Sequence, residues 1–191
     1  FVLLASPEDW PKKVVGSLGE ADLQMEVYTP VMEALASGDG APKSINQIVA
    51  TSKNLSVLSV FEAVSVLVGT GTIAPTQEKS VIERSYKMTK RLNSALCHKA
   101  ETSDDVNYLA SSVTGAGIQV NRFEQLFLRS VEIKEEDPPV FALRILNAQG
   151  QSIVKEGKPL EGDEANLIEL QTQYESFKKK RMPILKALGV A

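Results

Sequence analysis

The chain has 191 residues, of which 43% are hydrophobic, enough to bury one large or two small cores. Its formal net charge of −3 excludes a long-range positive field that would draw the whole protein to nucleic acid or to an anionic membrane, so any basic surface must be local. Cys97 is the only cysteine, which excludes an intramolecular disulfide and a Cys-x-x-Cys metal or redox site and favours a cytoplasmic location.

The start of the chain predicts a short strand followed by a tail or linker, which we assign to residues 1–20. Phe1-Val-Leu-Leu-Ala5 is apolar, lacks a basic leader and runs directly into Ser6-Pro7, so a strand is favoured over a signal peptide. No apolar run approaches the ~20 residues that span a bilayer, so no membrane partner is expected. Because the chain does not begin with methionine, we expect it to be a piece of a longer protein.

Residues 21–105 predict a helical module. Thr29-Pro30 offers an N-cap and a proline at the first position of helix one, and a further helical segment at 21–28 is an option before it. Ser44 and Gln47 have the spacing of a capping box, in which each side chain binds a backbone donor of the other residue. A short second helix should therefore begin after Ser44.

The third helix and the strand after it complete a winged-helix pattern. The segment from Leu55 to Val68 is apolar all round, so we expect this helix to be buried on most sides. Thr72 to Pro75 predicts a strand limited by proline. Many winged-helix modules bind DNA, but a recognition helix needs basic or amide side chains at base edges. The third helix has Glu62 as its only charged residue, so we expect a scaffold or interaction module.

Residues 81–99 predict a long helix with two distinct sides. Four apolar residues at helical spacing are expected to share one side: Ile82, Tyr86, Leu92 and Leu96. Arg84, Lys87 and Arg91 form a basic stripe on another side. Such a stripe can meet nucleic acid or an acidic partner domain, although a solvated face is the commoner explanation.

Cys97 and His98 are neighbours, which suggests a nucleophile and its base. However, adjacent residues of a helix point about 100° apart and seldom touch. His98 is the only histidine, so serine-protease chemistry and multi-histidine metal sites have no other candidate. We assign no catalytic, cofactor-binding or metal-binding residue.

Residues 106–191 predict a strand pair followed by C-terminal helices. From Tyr108 to Leu128, two short strands join through Gly115 and Gly117, and Asn121 then caps a helix. Three apolar side chains of that helix are expected in the core: Phe123, Leu126 and Phe127. The turn lacks the third glycine of a nucleotide-binding loop, so we interpret it as a tight connection.

The last third should be helical. Pro138-Pro139 opens one helix, which should break near Gly150. A narrow apolar seam then repeats at helical spacing: Leu167, Leu170, Tyr174 and Phe177. We interpret Lys178 to Arg181 as a charge cluster at the helix end, and Pro183 should end the seam helix near Arg181 and begin a last turn. The predicted fold class is mainly α (α+β): a winged-helix-like module, a small antiparallel β element and a C-terminal helical part.

Three further segments occur in order: Tyr108–Gly117 with Gln125–Leu128, then Gln149–Leu160, then Lys180–Gly189. Together they resemble the C-terminal part of bacterial S-adenosylmethionine-dependent methyltransferases that carry a methyltransferase regulatory domain. This chain has Ser112 where the family pattern has proline. The family's cofactor-binding glycine loop and ribose-binding acid have no counterpart here, and the resemblance places them upstream of Phe1.

The resemblance implies a non-catalytic region that follows a Rossmann-like catalytic domain, its expected partner in the same chain. S-adenosylmethionine would bind that upstream domain, and no cofactor is expected in this segment. The region would cover the catalytic domain, shape access for a substrate such as a protein, or mediate homodimer contacts. Two alternatives stay open: a winged-helix nucleic-acid binder that uses the basic stripe and the Lys178 to Arg181 cluster, and a stand-alone interaction module.

Overall fold

The computed structural model describes residues 1–17, 19–52 and 54–191, which form helices and small two-stranded antiparallel sheets. The predicted mainly helical α+β class is confirmed at this level. The helices are α1 (Met25–Ala36), α2 (Ile45–Thr51), α3 (Val57–Gly69), α4 (Lys79–Lys99), α5 (Arg122–Ile133), α6 (Pro138–Ala148), α7 (Gly162–Ser176) and α8 (Met182–Ala187). A short 3-10 helix lies at Pro7–Asp9 and a π-helical turn at Phe177–Arg181.

The strands pair two by two. They are β1 (Val2–Leu3), β2 (Lys13–Gly16), β3 (Gly19–Asp22), β4 (Ile73–Ala74), β5 (Tyr108–Ala110), β6 (Gly117–Gln119), β7 (Val154–Lys155) and β8 (Lys158–Pro159). β1 pairs with β4, and the other pairs join consecutive strands. The strand predicted at the start of the chain is thus confirmed. The domain boundaries near residues 20 and 105 stay predictions.

The buried side chains form two clusters. The first lies among α1, α2, α3 and the β1–β4 pair, and it includes Val31, Leu35, Ile48, Val64 and Leu67. The second includes apolar residues of α5 to α8, together with Cys97 of α4. Val2 belongs to the second cluster and Leu3 to the first, because successive side chains of a strand point to opposite faces. Strand β1 therefore joins the two cores.

Helix α1 begins earlier than Thr29-Pro30 predicts. The helix starts at Met25 and contains Pro30 in its interior, so the interpretation of Thr29 as the N-cap was wrong. The helical segment offered at 21–28 is helical only from Met25, because β3 extends to Asp22. Met25 and Tyr28 pack against the first cluster, so tertiary packing supports the turn before the proline. A proline this close to the helix start deprives only one early carbonyl of its donor.

The capping box predicted at Ser44 is confirmed, and Asn121 caps α5 as predicted. At α2, the backbone N–H of Gln47 donates to Ser44 Oγ at 3.3 Å, and the backbone N–H of Ser44 donates to Gln47 Oε1 at 2.8 Å. At α5, Asn121 and Glu124 form the same reciprocal pair at 3.0 Å. These caps are local, which is why spacing alone predicted them.

Helix α4 presents a different side to the core than its apolar residues predict. Leu92 is 51% exposed and Tyr86 is 42% exposed, so they do not share a buried side with Ile82 and Leu96. The most buried residues of α4 are Asn93 and Cys97. Asn93 Nδ2 donates to the carbonyls of Ala110 and Val190, and Asn93 Oδ1 accepts from the Ala110 amide. Hydrogen bonds to backbone groups therefore keep the polar Asn93 in the core. The apolar pattern of the sequence places Leu92 there instead.

The C-terminal helices agree with the sequence except at the last junction. α6 begins at Pro138, and three of the predicted seam residues, Leu170, Tyr174 and Phe177, pack in the second cluster, of which Leu167 is not a member. The Phe127 and Tyr174 rings lie edge to face there at 5.2 Å. Pro183 does not stop the helical path at Arg181, because a π-helical turn continues it directly into α8. A π turn absorbs the mismatch where proline cannot donate to the preceding turn.

Candidate functional site

The glycine turn between β5 and β6 is a packed connection. Gly115 has a φ of +70°, and a Cβ built there would lie 2.6 Å from Gln77 Nε2. The turn closes through the Ser111 amide, which donates to the Ala116 carbonyl at 2.9 Å. Ser111 Oγ donates to the Leu188 carbonyl at 2.6 Å. The backbone thus docks against the end of α8, and the predicted strand–turn–strand order is confirmed.

The last and the middle family-like segments both bind the β6–α5 junction, residues 118–124, which lies between the two parts of the first segment. Arg181 Nη2 donates to the Gln119 carbonyl at 2.8 Å and Nε donates to Glu124 at 3.3 Å, which links the last segment to the β6–α5 junction. Arg122 donates to Gln149 at 2.7 Å and to Gln151 at 2.8 Å, which links the same junction to the middle segment. The segments therefore belong to one packed unit.

One side of α3 is apolar and open to solvent. We call it the α3 face, formed by Val57, Leu58, Phe61 and Val68. Leu58 is 65% exposed and Phe61 is 55% exposed, although the sequence predicts a helix buried on most sides. That prediction was wrong because α1, α2 and β4 cover only the opposite side, where Val60, Val64 and Leu67 are buried.

The α3 face is continuous. At 100° per residue its side chains fall within about 100° of one another around the helix axis. Ser65 lies within the same sector and is also exposed. Contiguous exposed apolar patches of this kind mark protein or ligand contacts in soluble proteins.

The basic stripe of α4 borders a groove. A volume of about 790 Å³ lies between α4 and α5, and we call it the α4–α5 groove. Its lining residues are Tyr86, Lys87, Lys90, Arg91, Ser94, Ala95 and His98 of α4, with Arg129 and Glu132 of α5. Lys87 and Arg91 of the predicted stripe lie in it, and Arg84 does not. Sequence reasoning missed Lys90, although its spacing from Lys87 is that of neighbours on a helix face.

The cations of the α4–α5 groove differ in their partners. Arg129 donates to Glu101 at 3.0 Å and to Glu132 at 3.1 Å. Burial is the largest single effect on its pKa and lowers it, but the two carboxylates together outweigh burial and raise the pKa. Within the described part of the chain, Lys87, Lys90 and Arg91 have no carboxylate within 4.0 Å. The groove therefore carries three uncompensated positive charges.

The predicted charge cluster at the end of α7 is paired within the chain. Lys179 and Lys180 contact the two oxygens of Glu8 at 2.8 and 2.6 Å, and hydrogen bonds from Lys179 and then Lys180 lower the pKa of Glu8 to about 2. Lys178 pairs with Glu175, and Arg181 pairs with Glu124. Lys179 and Lys180 thus attach the N-terminal segment, and Arg181 attaches the β6–α5 junction.

Cys97 and His98 lie in different environments. The Cys97 thiol is buried in the second cluster, and desolvation raises its pKa to about 12. The His98 ring is exposed and lies 3.0 Å from Glu101 Oε1. The thiolate form is thus strongly disfavoured at neutral pH.

Residues 1–17, 19–52 and 54–191 contain neither a cluster of metal ligands nor a membrane-spanning helix. These residues contain no group of three or more His, Cys, Asp or Glu side chains placed to hold a metal ion. No helix among them has the length and apolarity needed to cross a membrane.

Comparison with known proteins finds one informative relative. An uncharacterized protein of Synechocystis sp. is 38% identical to this chain over 176 residues, which cover 91% of the chain and 34% of that protein. The chain thus spans about a third of the length of the curated relative that it matches. No protein-family profile and no solved structure matches the chain.

Proposed function

We propose that this chain is the non-catalytic C-terminal part, with the regulatory region, of an S-adenosylmethionine-dependent methyltransferase. Its function in this proposal is to cover the catalytic domain and so shape substrate access. The three family-like segments support this proposal, since the middle and last segments both bind the β6–α5 junction and Ser111 of the first segment donates to Leu188 of the last. The length of the Synechocystis relative is compatible with an additional catalytic domain.

The α3 face is the observation that carries the proposal. α1, α2, α3 and β4 follow one another in winged-helix order, and we infer that they form a winged-helix-like module. In DNA-binding members of that class, the third helix presents basic and amide groups to the bases. Here the corresponding helix presents valine, leucine and phenylalanine, which suit a dry protein–protein contact.

The partner in this proposal is a Rossmann-like domain of the same polypeptide, upstream of Phe1. That domain would bind S-adenosylmethionine and hold the catalytic residues, and no residue of this chain is assigned to either task. A covering domain needs no reactive groups of its own, because exclusion of water and positioning of substrate come from its shape. Homodimer contacts through the α3 face are the second form of the same proposal.

Calorimetric titration with S-adenosylmethionine tests the proposal. The 191-residue chain should show no specific heat of binding, and the longer polypeptide that includes the upstream domain should bind with micromolar affinity. Micromolar binding to the 191-residue chain would contradict the assignment of this segment as non-catalytic. Absence of a strand–glycine loop–helix sequence upstream of Phe1 would favour the stand-alone interaction module.

A second candidate, a winged-helix nucleic-acid binder, is favoured by the unpaired Lys87, Lys90 and Arg91. It is weakened by the pairing of Lys179 and Lys180 with Glu8, which occupies the second basic cluster it requires. This candidate predicts a gel shift that weakens steeply with added salt, because bound counterions are released. A lack of any shift at low salt would eliminate it.

A further inference from the structure

A second cavity opens from the α4–α5 groove toward the core. It has a volume of about 230 Å³. Its apolar walls are Leu128 and Val131 of α5, Met182 of α8, and Val190 at the end of the chain. We call it the anchor pocket. Lys90, Ser94 and Glu132 line both volumes, so the groove and the anchor pocket adjoin one another. An apolar recess thus adjoins a line of unpaired cations.

We propose that the α4–α5 groove binds an acidic peptide segment that inserts one apolar side chain into the anchor pocket. Lys87, Lys90 and Arg91 would contact the carboxylates of the segment. Lys186 also lines the anchor pocket and adds a cation beside it. The proposal is independent of the proposed methyltransferase function, since it uses neither the α3 face nor an upstream domain.

The dimensions of the groove fit a peptide. From Tyr86 to His98 the groove follows α4 for about 18 Å, since an α-helix rises 1.5 Å per residue. An extended chain spans about 3.3 Å per residue, so about five residues would lie along the groove. The anchor pocket is large enough for one aliphatic side chain of that segment.

The polar groups of the groove favour a peptide over a nucleic acid. Glu132 lines both the groove and the pocket and already pairs with Arg129 at 3.1 Å, and as an acceptor it has no use for a phosphodiester backbone, which carries no N–H donors. A peptide brings backbone N–H groups that can donate to Glu132 and carboxylates that can pair with the lysines. The two rings that line the groove are Tyr86 and His98, at its opposite ends, whereas single-stranded nucleic acids bind through several successive stacked bases.

The test is fluorescence anisotropy with a labelled acidic octapeptide of Glu and Asp that carries a central leucine. A matched peptide has glycine in place of the leucine. The groove variant is Lys87→Glu with Arg91→Glu, and the control is Lys12→Glu with Lys158→Glu, which reverses two exposed charges that line neither volume. Circular dichroism confirms that each variant is folded.

The groove variant should weaken binding of the leucine peptide by about ten-fold or more at low salt, with the control variant unchanged. Val131→Ser should weaken the leucine peptide by about five-fold and leave the glycine peptide unaffected, because only the leucine buries apolar surface. Lack of binding, or equal loss in the control variant, would overturn the proposal. An unlabelled oligonucleotide that displaces the peptide at comparable concentration would instead establish the groove as a nucleic-acid site.

Discussion

Replacement of Asn93 by alanine should destabilise the protein more than replacement of its neighbour Leu92. Asn93 is 4% exposed and makes three hydrogen bonds, two from Nδ2 to the carbonyls of Ala110 and Val190 and one to Oδ1 from the Ala110 amide. Each such bond contributes about 1 kcal/mol net, and buried groups left without partners add to the loss, so Asn93→Ala should cost about 3 kcal/mol. Leu92 is 51% exposed, and Leu92→Ala should cost less than about 1 kcal/mol.

Denaturant unfolding followed by circular dichroism measures both variants, with the slope against denaturant compared to check two-state behaviour. Leu92→Ala is the matched control, since both substitutions remove a side chain of similar size from the middle of α4. A larger loss for Leu92→Ala than for Asn93→Ala would refute the reasoning. It would mean that α4 is rotated and that the apolar pattern identified its buried side correctly.

Three further predictions concern individual residues. Gly189→Ala should lower the free energy of unfolding, measured by thermal denaturation, because Gly189 has a φ of +66° and a Cβ there would lie 2.6 Å from Ser112 Oγ; an unchanged melting temperature would contradict that close approach. The pKa of Glu8 lies at about 2, below its ordinary 4.5, so its lysine pairs stabilise the fold above about pH 4.5 and the contribution is lost as pH falls through 2. An NMR titration of the Glu8 carboxyl should give that low midpoint, and a midpoint near 4.5 would show that the pairs do not persist. Cys97 should react with iodoacetamide about 100-fold more slowly in the folded chain than in denaturant, because it is buried and its pKa is raised; equal rates would contradict its burial.

Local chemistry explains which elements the sequence predicts well. Ser44 and Asn121 each cap a helix through a residue three positions away, so spacing is sufficient evidence. The start of α1 depends on packing of Met25 and Tyr28 against distant residues, and no local signal reports that packing. The buried Asn93 likewise depends on backbone groups 17 and 97 positions away in the chain.

The candidate sites were predictable only in part. The stripe of Arg84, Lys87 and Arg91 follows from helical spacing, but the groove beside Lys87 and Arg91 requires α5. The apolar character of α3 is plain in the sequence. However, composition does not show how much of the surface of a helix is buried by the rest of the same chain. The discrepancy between expected and observed burial is what led us to propose the α3 face as a contact surface.

Side-chain footprinting of the α3 face tests the central claim most directly. Hydroxyl-radical labelling of Phe61 and Leu58 should be strong in the 191-residue chain and several-fold weaker in the longer polypeptide that the proposal requires. Met88, which is 67% exposed on α4, serves as the internal reference and should be labelled equally in both. Equal labelling of Phe61 in the two proteins would contradict the account, because the α3 face would then cover nothing.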